Sequence, residues 1–215
     1  MNYPEYPHID TLWKRDEKGK IQIGEFTCEE FQYLSGLEWI GTEKVDGTNI
    51  RICISDTLEG QEPEEVLGGR TANAQLHGNL VKWFDSTVKK QVNDYHTQFP
   101  TGAVLYGEGY GAGIQKVGKL YKSDGVGFVL FDVKVGGWWL KREDVVDIAD
   151  HFELEVVPEA YRGTLHGAIA MVQQGFTSAW GNFPAEGLVM QPSIPLGKRN
   201  GGRIITKIKT VDYKE

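Results

Sequence analysis

The sequence predicts a mixed α+β fold with largely antiparallel sheets and flanking helices. Strand-type runs bounded by Gly, Pro, Asn and Asp outnumber helical patterns along the chain. Strands and helices do not alternate regularly, which argues against a doubly wound parallel sheet. No Pro/Gly/Ser-rich linker divides the 215 residues, so we expect a single domain over residues 1–215.

Helical patterns occur at four places. The first has capping-box spacing, and the second and third carry apolar residues at three- and four-residue steps. The fourth begins at a threonine that can cap it and ends at a glycine. In order, the predicted helices are Thr27–Ser35, 75–96 (with Val81, Phe84, Val88, Val92 and Tyr95 on its apolar face), Val145–Phe152 and Thr164–Gly175.

Six strands account for most of the remainder. Their apolar residues alternate or run continuously, and turn-forming residues bound them. The acidic stretch Glu59–Glu65, with Pro63, is predicted to be a hairpin loop. The predicted strands cover residues 48–55, 102–108, 127–135, 154–157, 186–191 and 203–209.

Composition is that of a soluble globular protein, with 40% hydrophobic and 25% charged residues. No apolar run approaches the roughly 18 residues of a membrane span, and the N-terminus has no signal-peptide pattern. Cys28 and Cys53 have no metal-type spacing, so we expect free thiols and a cytoplasmic location, in a host cytoplasm if the protein is viral.

The net charge of −7 is unusual for a protein that binds nucleic acid, but the positive charge is concentrated. Residues 197–215 contain six Lys/Arg and two acids, and Lys116, Lys119 and Lys122 form a second basic stripe. A basic patch on an acidic body predicts weak, salt-sensitive binding of phosphates.

The most informative segment runs from Glu43 to Arg51. It places Lys44 two residues before an Asp-Gly turn, with Asn49 and an alternating apolar run after it. This spacing suits a lysine at a strand end whose amine points into a cleft. Lysine becomes an effective nucleophile when burial or neighbouring cations lower its pKa.

Further charged and Gly-flanked segments follow in order. Arg70 stands after a Gly-Gly pair, Glu108 lies between two glycines at a strand end, and Glu186 precedes Gly at the start of an apolar strand. Lys207 and Lys209 alternate in a strand, so both ammonium groups lie on one face and suit a triphosphate.

In this order, these segments resemble the motifs of the covalent nucleotidyltransferases, the polynucleotide ligases and mRNA capping enzymes, over roughly residues 39–210. The resemblance implies a nucleotidyltransferase (adenylation) domain with an ATP-grasp-like ligase core. It also implies that Lys44 attacks the α-phosphate of a nucleotide and forms a lysyl-nucleotide.

The same resemblance implies roles for the other residues. Arg70 contacts the nucleotide, Glu108 binds the ribose, Phe128 stacks on the purine while Phe131 is core, and Asn49 orients a water on the metal. Glu186 binds Mg²⁺, for which Mn²⁺ can substitute. Lys207 and Lys209 bind the α-phosphate and assist catalysis at Lys44.

The Glu-Lys-x-x-Gly-Thr-Asn form, with Gly-Ile-Gln-Lys later, is similar to the nick-sealing RNA ligases of phage type, which suggests RNA repair. DNA ligases and capping enzymes more often carry arginine at the position of Asn49. In the RNA-ligase branch the position of Glu43 helps recognise adenine, so ATP is expected as the source of covalent AMP. AMP then passes to a 5′-phosphate end, and a 3′-hydroxyl displaces it.

Alternatives stay open from the sequence. An ATP-dependent DNA ligase would act on DNA ends or nicked duplexes, a guanylyltransferase would use GTP, and a degenerate module would bind nucleotide or RNA ends without joining them. After Lys209 only six residues follow, so we expect no C-terminal OB-fold or helical domain here. A partner domain or protein would then supply further grip on the nucleic acid.

Overall fold

The computed structural model describes residues 4–57, 64–71, 73–199 and 201–214. It divides into two compact units: unit 1 comprises Met1–Pro7 and Asp46–Val156, and unit 2 comprises His8–Val45 and Val157–Glu215. The single domain over residues 1–215 stays a prediction. Among the described residues, no helix combines the length and apolarity that a membrane crossing requires.

Strands outnumber helices among the described residues, as the sequence predicted. In chain order the strands are β1 (Asp10–Thr11), β2 (Trp13–Arg15), β3 (Ile21–Phe26), β4 (Trp39–Glu43), β5 (Thr48–Asp56), β6 (Glu65–Gly69), β7 (Thr101–Gly111), β8 (Val126–Val135), β9 (Trp138–Trp139), β10 (Glu155–Val156), β11 (Glu159–Gly163), β12 (Gly187–Pro192) and β13 (Thr206–Lys209). The helices are α1 (Glu29–Tyr33), α2 (Gly78–Thr87), α3 (Val92–Gln98), α4 (Gly118–Tyr121), α5 (Arg142–His151) and α6 (Leu165–Gln174), with short 3₁₀ helices at Lys89–Gln91 and Thr210–Tyr213.

Unit 1 contains a six-stranded sheet in the order β10-β8-β7-β5-β6, with β9 paired to β8. All its pairings are antiparallel except that of β10 with β8. Ile50, Ile52 and Ile54 project from β5 into a core that α2, α3 and α5 complete with Phe84, Tyr95 and other apolar side chains. Burying this alternating face is what fixes the register of β5.

Unit 2 contains a five-stranded sheet in the order β1-β13-β12-β4-β11 and a separate β2-β3 ribbon. Only β1 and β13 pair in parallel within the five-stranded sheet. Helix α6 supplies Leu165, Ala168, Ile169 and Val172 to a core that includes Trp39 of β4. The central position of β12, between β4 and β13, determines the geometry of the candidate site.

The predicted fold class, α+β with largely antiparallel sheets, is confirmed. The predicted cap Thr164 is confirmed too, since its side-chain oxygen accepts a hydrogen bond from the N–H of Gly167 at the start of α6. The six predicted strands correspond to β5, β7, β8, β10, β12 and β13. The strand predicted from residue 203 begins only at Thr206.

Two helix predictions were wrong in detail. Helix α1 has Cys28 rather than Thr27 at its N-cap, because the Thr27 hydroxyl donates to the carbonyl of Thr11 instead. The long helix over 75–96 is interrupted by a 3₁₀ turn at Lys89–Gln91. Val88 and Tyr95, on either side of this break, are both buried in the core of unit 1.

The periodicity also assigned one wrong core residue in α2. Val81 is 38% exposed, whereas its neighbour Leu80 is buried in the core of unit 1. The acidic loop prediction falls mainly on residues 58–63, which lie outside the described residues. The strands on either side, β5 and β6, pair as an antiparallel hairpin, as predicted.

Both cysteines are free, as expected, and they differ in exposure. Cys28 is half-buried, whereas Cys53 is enclosed within β5. Burial raises the pKa of the Cys53 thiol to about 12, so this group stays protonated and unreactive near neutral pH.

Two tyrosines of unit 1 allow a matched test of hydrogen bonding in the core. The hydroxyl of Tyr95 is buried without a hydrogen-bond partner, whereas the hydroxyl of Tyr106 donates to the carbonyl of Pro4 at 2.8 Å. An unsatisfied buried polar group costs about 1–3 kcal/mol. We expect Tyr95→Phe to raise the free energy of unfolding by about 1 kcal/mol and Tyr106→Phe to lower it by a similar amount.

Urea denaturation of both variants beside the wild type measures this difference. Equal destabilisation by the two substitutions would show that the Tyr95 hydroxyl has a partner in solution.

Candidate active site

Lys44 follows directly after β4 and is held by the sheet of unit 2. Strand β4 pairs with β12 so that Glu43 lies opposite Leu188. The backbone N–H of Lys44 then donates to the carbonyl of Gly187 at 2.9 Å. The predicted nucleophile is therefore a side chain on a fixed backbone rather than on a free loop.

Glu186 lies between two lysines. Its Oε2 is 2.7 Å from Nζ of Lys44, and its Oε1 is 3.4 Å from Nζ of Lys209. The three side chains are 21–30% exposed, so both ion pairs are only partly screened by water. One carboxylate thus orients two ammonium groups that would otherwise repel each other.

Strand β13 provides the second cation of this cluster, Lys209. Lys209 lies opposite Gly187 in the β12–β13 pairing, and Lys207 lies two residues earlier on the same face of β13, opposite Val189. Lys44 and Lys209 carry two positive charges against the single negative charge of Glu186, so the ion-paired cluster has a net positive charge. A partly exposed cluster of this kind is suited to binding phosphate groups.

Gly187 allows the backbones of β12 and β13 to approach each other closely. Its φ of +152° lies in the region that L side chains rarely adopt, and a Cβ here would lie 2.1 Å from the carbonyl oxygen of Ile208. Glycine is therefore required for the close pairing that positions Glu186 and Lys209.

Glu43 is a buried carboxylate, 2% exposed. Its Oε2 accepts a hydrogen bond from the backbone N–H of Ala179 at 2.8 Å, and its backbone N–H donates to the carbonyl of Pro158. Its Oε1 is buried and has no hydrogen-bond partner. A buried, unsatisfied carboxylate oxygen is costly unless a ligand supplies the missing donor.

The turn after Lys44 is anchored within unit 1. The N–H of Asp46 donates to the hydroxyl of Tyr121 at 3.2 Å, and the carbonyl of Gly47 accepts from the side-chain amide of Gln115 at 3.0 Å. A Cβ on Gly47 would lie 2.3 Å from the carbonyl of Gly109. This turn therefore needs glycine, as its Asp-Gly sequence indicated.

Asn49 and Glu108 lie directly opposite each other on β5 and β7 in unit 1. The side-chain Oδ1 of Asn49 is buried without a hydrogen-bond partner. Arg70 follows β6 immediately and is exposed. The unit thus presents an amide oxygen that lacks a donor beside a carboxylate, a combination that suits a polar ligand.

Phe128 belongs to the core of unit 1 and is 2% exposed. Its ring stacks against Trp83 with centroids 5.6 Å apart, and it is close enough to Gly107 to exclude any side chain there. Phe131, expected in the core, is half-buried and packs edge-on against Tyr6. Stacking of Phe128 on a base would require its ring to be uncovered, and this role stays a prediction.

No sequence pattern indicated a role for Ala179. Its contribution to the site is a backbone N–H, which any residue except proline carries, so residue type holds no signal. To find Ala179, one would need to predict the turn Ser178–Gly181. One would also need to know that this turn packs against the carboxylate of Glu43, which is a tertiary contact.

A family model described as RNA ligase matches residues 37–209. The chain belongs to the RNA ligase family. This match covers Lys44, Glu186 and Lys209, the three residues joined by ion pairs in unit 2. A comparison with the curated proteins finds no significant match.

Solved structures of Naegleria gruberi RNA ligase share the fold. A variant of that enzyme with ATP and Mn has a TM-score of 0.65 at 18% identity, over 95% of this chain and 57% of that one. The enzyme with pyrophosphate has a TM-score of 0.64 at 20% identity, over 97% and 62%. A variant with AMP and Mn has a TM-score of 0.63 at 19% identity, over 96% and 62%.

This chain therefore spans about three-fifths of the length of those ligases. The likeness shows the nucleotidyltransferase fold of an RNA ligase, which the sequence motifs indicated.

The requirement for glycine at position 187 can be tested on stability. We expect Gly187→Ala to lower the free energy of unfolding by about 1–3 kcal/mol, because a Cβ would force apart the backbones of β12 and β13. Gly36→Ala is the matched control in unit 2, since a Cβ there has open space and ordinary φ. Denaturant titration of both variants measures the effect, and equal stabilities would contradict the close approach.

Proposed function

We propose that this chain is an ATP-dependent RNA ligase that joins 3′-hydroxyl and 5′-phosphate ends through a covalent lysyl-AMP on Lys44. The observation that carries the proposal is the ion-paired cluster of Lys44, Glu186 and Lys209 in a member of the RNA ligase family. It places a lysine amine in a positively charged, partly exposed environment that suits a nucleotide phosphate.

The first step is transfer of AMP from ATP to the protein. Nζ of Lys44 loses a proton to water and attacks the α-phosphorus, a P–N bond forms, and the bond from the α-phosphorus to the bridging oxygen breaks to release pyrophosphate. Lys207 and Lys209 stabilise the negative charge on the phosphate oxygens. Glu186 holds the Lys44 side chain in position before the reaction, so attack requires little reorganisation.

Two further displacements at phosphorus complete ligation. A 5′-phosphate oxygen attacks the phosphorus of the lysyl-AMP, a P–O bond forms, the P–N bond breaks, and Nζ of Lys44 takes up a proton from water. A 3′-hydroxyl then loses its proton to water and attacks the adenylated 5′-phosphate, a phosphodiester forms, and the phosphoanhydride bond breaks so that AMP leaves. All three steps are in-line displacements at phosphorus, in which catalysis depends mainly on alignment and charge neutralisation.

Glu186 is the residue that would hold a divalent cation. Among the described residues no group of three or more His, Cys, Asp or Glu could form a complete cage, so phosphates and water would supply the other ligands. The partly exposed carboxylate of Glu186 fits this mode of binding, which is usual for Mg²⁺. A bound Mg²⁺ or Mn²⁺ would neutralise phosphate charge.

Glu43 favours ATP over GTP. Its buried Oε1 lacks a donor, and the exocyclic amine at position 6 of adenine would supply one. The 6-oxo group of guanine would place an acceptor against the carboxylate instead. Discrimination of this kind is strong when a mismatched ligand leaves a buried polar group unpaired.

The roles of the unit 1 residues are part of the same proposal. Glu108 would bind the ribose hydroxyls, Arg70 would contact the nucleotide, and Asn49 would orient a water on a bound cation. Phe128 contributes to base binding if its packing against Trp83 rearranges. The buried Oδ1 of Asn49, which lacks a donor, supports a polar ligand beside Glu108.

RNA ends are the proposed substrate class, on the grounds of family membership and of the Naegleria ligase whose structures contain ATP, AMP and Mn. Among RNA substrates we propose nicked RNA, because the sequence motifs resemble those of the nick-sealing RNA ligases of phage type. A partner domain or protein would strengthen the grip on nucleic acid, and a cytoplasmic location stays a prediction.

The covalent step is tested by intact-protein mass after incubation with ATP and Mg²⁺. We expect the wild type to gain one AMP and Lys44→Ala to gain none, because the nucleophile is removed. Lys20→Ala, an exposed lysine of unit 2, should label like the wild type. Pyrophosphate treatment first removes any AMP already bound.

Nicked RNA and nicked DNA duplexes are then offered to the adenylated protein. Sealing of RNA alone is expected, and preference for DNA would favour the DNA-ligase alternative. No adduct on the wild type after pyrophosphate treatment would refute the proposed enzyme and favour the degenerate binding module.

Lys209 is expected to accelerate adenylation through charge stabilisation. Removing one preorganised donor from a reacting oxyanion costs on the order of 10²–10³ in rate, so we expect Lys209→Ala to slow lysyl-AMP formation by at least about 100-fold. Lys214→Ala, an exposed lysine nearby in sequence, is the control. Single-turnover labelling with ATP compares the two variants, and equal rates would exclude Lys209 from the reaction.

A further inference from the structure

The turn Ser178–Gly181 contacts the candidate site through a backbone group. The N–H of Ala179 donates to Oε2 of Glu43 at 2.8 Å, across 136 positions of sequence. Ala179 is an exposed residue, and this contact is made by its peptide group rather than its side chain.

The turn itself is well fixed. Gly181 N–H donates to the carbonyl of Ser178 at 3.4 Å, and Trp180 N–H donates to the Ser178 hydroxyl at 3.2 Å. Ser178 N–H also donates to the carbonyl of Phe183 at 2.8 Å, which closes the base of the turn. Ala179 therefore occupies the second position of a hydrogen-bonded β-turn.

The hydrogen bond from Ala179 makes the two oxygens of Glu43 inequivalent. Oε2 is occupied, whereas Oε1 is buried and lacks a donor. A carboxylate that was free to rotate could exchange these two oxygens. A fixed N–H on one of them holds the other in one orientation as an acceptor.

We propose that the backbone N–H of Ala179 fixes Glu43 as a one-sided acceptor for the amine at position 6 of the purine, which makes the turn Ser178–Gly181 a nucleobase-specificity element. The inference rests on the proposed adenylyltransferase activity. Ala179 is a positioning residue, because it acts on the nucleotide through Glu43.

A proline substitution isolates this N–H. Proline is favoured at the second position of a β-turn, so Ala179→Pro keeps the turn and removes only the donor. Ala179→Ser keeps the donor and changes an exposed side chain. The readout is the ratio of lysyl-nucleotide formation rates with ATP and with ITP, which carries a 6-oxo group.

We expect Ala179→Pro to reduce the ATP-to-ITP ratio by about 10- to 100-fold, the range that one hydrogen bond to a charged group supports. Ala179→Ser should keep the wild-type ratio. Thermal unfolding of both variants separates a loss of selectivity from a loss of folding.

Glu43→Gln gives an independent test, in which the ATP-to-ITP ratio should fall below one rather than only decrease. The N–H of Ala179 can bond only to the amide oxygen, which leaves the amide NH₂ facing position 6 of the purine. We therefore expect Glu43→Gln to reverse the preference in favour of ITP. In the double variant with Ala179→Pro, the amide is free to flip and the reversal should be lost.

The outcomes separate the two proposals. A wild type that labels with neither nucleotide after pyrophosphate treatment would refute the enzyme itself. A wild type that labels with ATP, together with equal ratios for Ala179→Pro and Ala179→Ser, would refute the role of the turn. If Ala179→Pro does not fold, Glu43→Gln decides, and a retained preference for ATP in that variant would refute it as well.

Discussion

The antiparallel pairing of β12 with both β4 and β13 is the constraint on which the site in unit 2 depends. Lys44 follows β4, Glu186 precedes β12 and Lys209 ends β13. The same end of these three neighbouring strands therefore brings together charges that are far apart in sequence. Since a register slip of one residue would turn Lys209 to the opposite face, the ion pairs exist only in this register. The glycine after Glu186 permits that register, because its neighbour on β13 leaves no room for a Cβ.

Charge balance explains how Lys44 and Lys209 can lie close to one point. Two ammonium groups near one point repel each other, and the shared carboxylate of Glu186 offsets this repulsion. The net positive charge that is left over favours phosphate. The same logic applies to Glu43, whose buried carboxylate has one oxygen satisfied by the protein and one that lacks a donor. A nucleotide can supply the missing partner in both places: phosphate charge for the lysines and a hydrogen-bond donor for Oε1 of Glu43.

Sequence patterns predicted the elements in which apolar residues alternate with other residue types or recur at helical spacing. Strand β5 and helix α6 were found because their apolar residues alternate or recur on one face. Strand β5 is buried on both faces, but its isoleucines still alternate with Arg51, Cys53 and Ser55. Strand β4 was missed because its sequence, Trp-Ile-Gly-Thr-Glu, does not alternate. The break between α2 and α3 was missed because the apolar spacing continues through it, while the local hydrogen bonding does not.

The sequence by itself indicated the family and showed the candidate nucleophile Lys44 and the order of the charged residues that follow it. These follow from residue types, and a lysine, a carboxylate or a glycine is visible in the sequence wherever the chain later places it. Only the tertiary structure decided which of these groups meet: Lys44 with Glu186 across 142 positions, and Glu43 with the N–H of Ala179. The physical reason is that a backbone amide looks the same at almost every residue, so its partner is set by strand register and turn geometry alone.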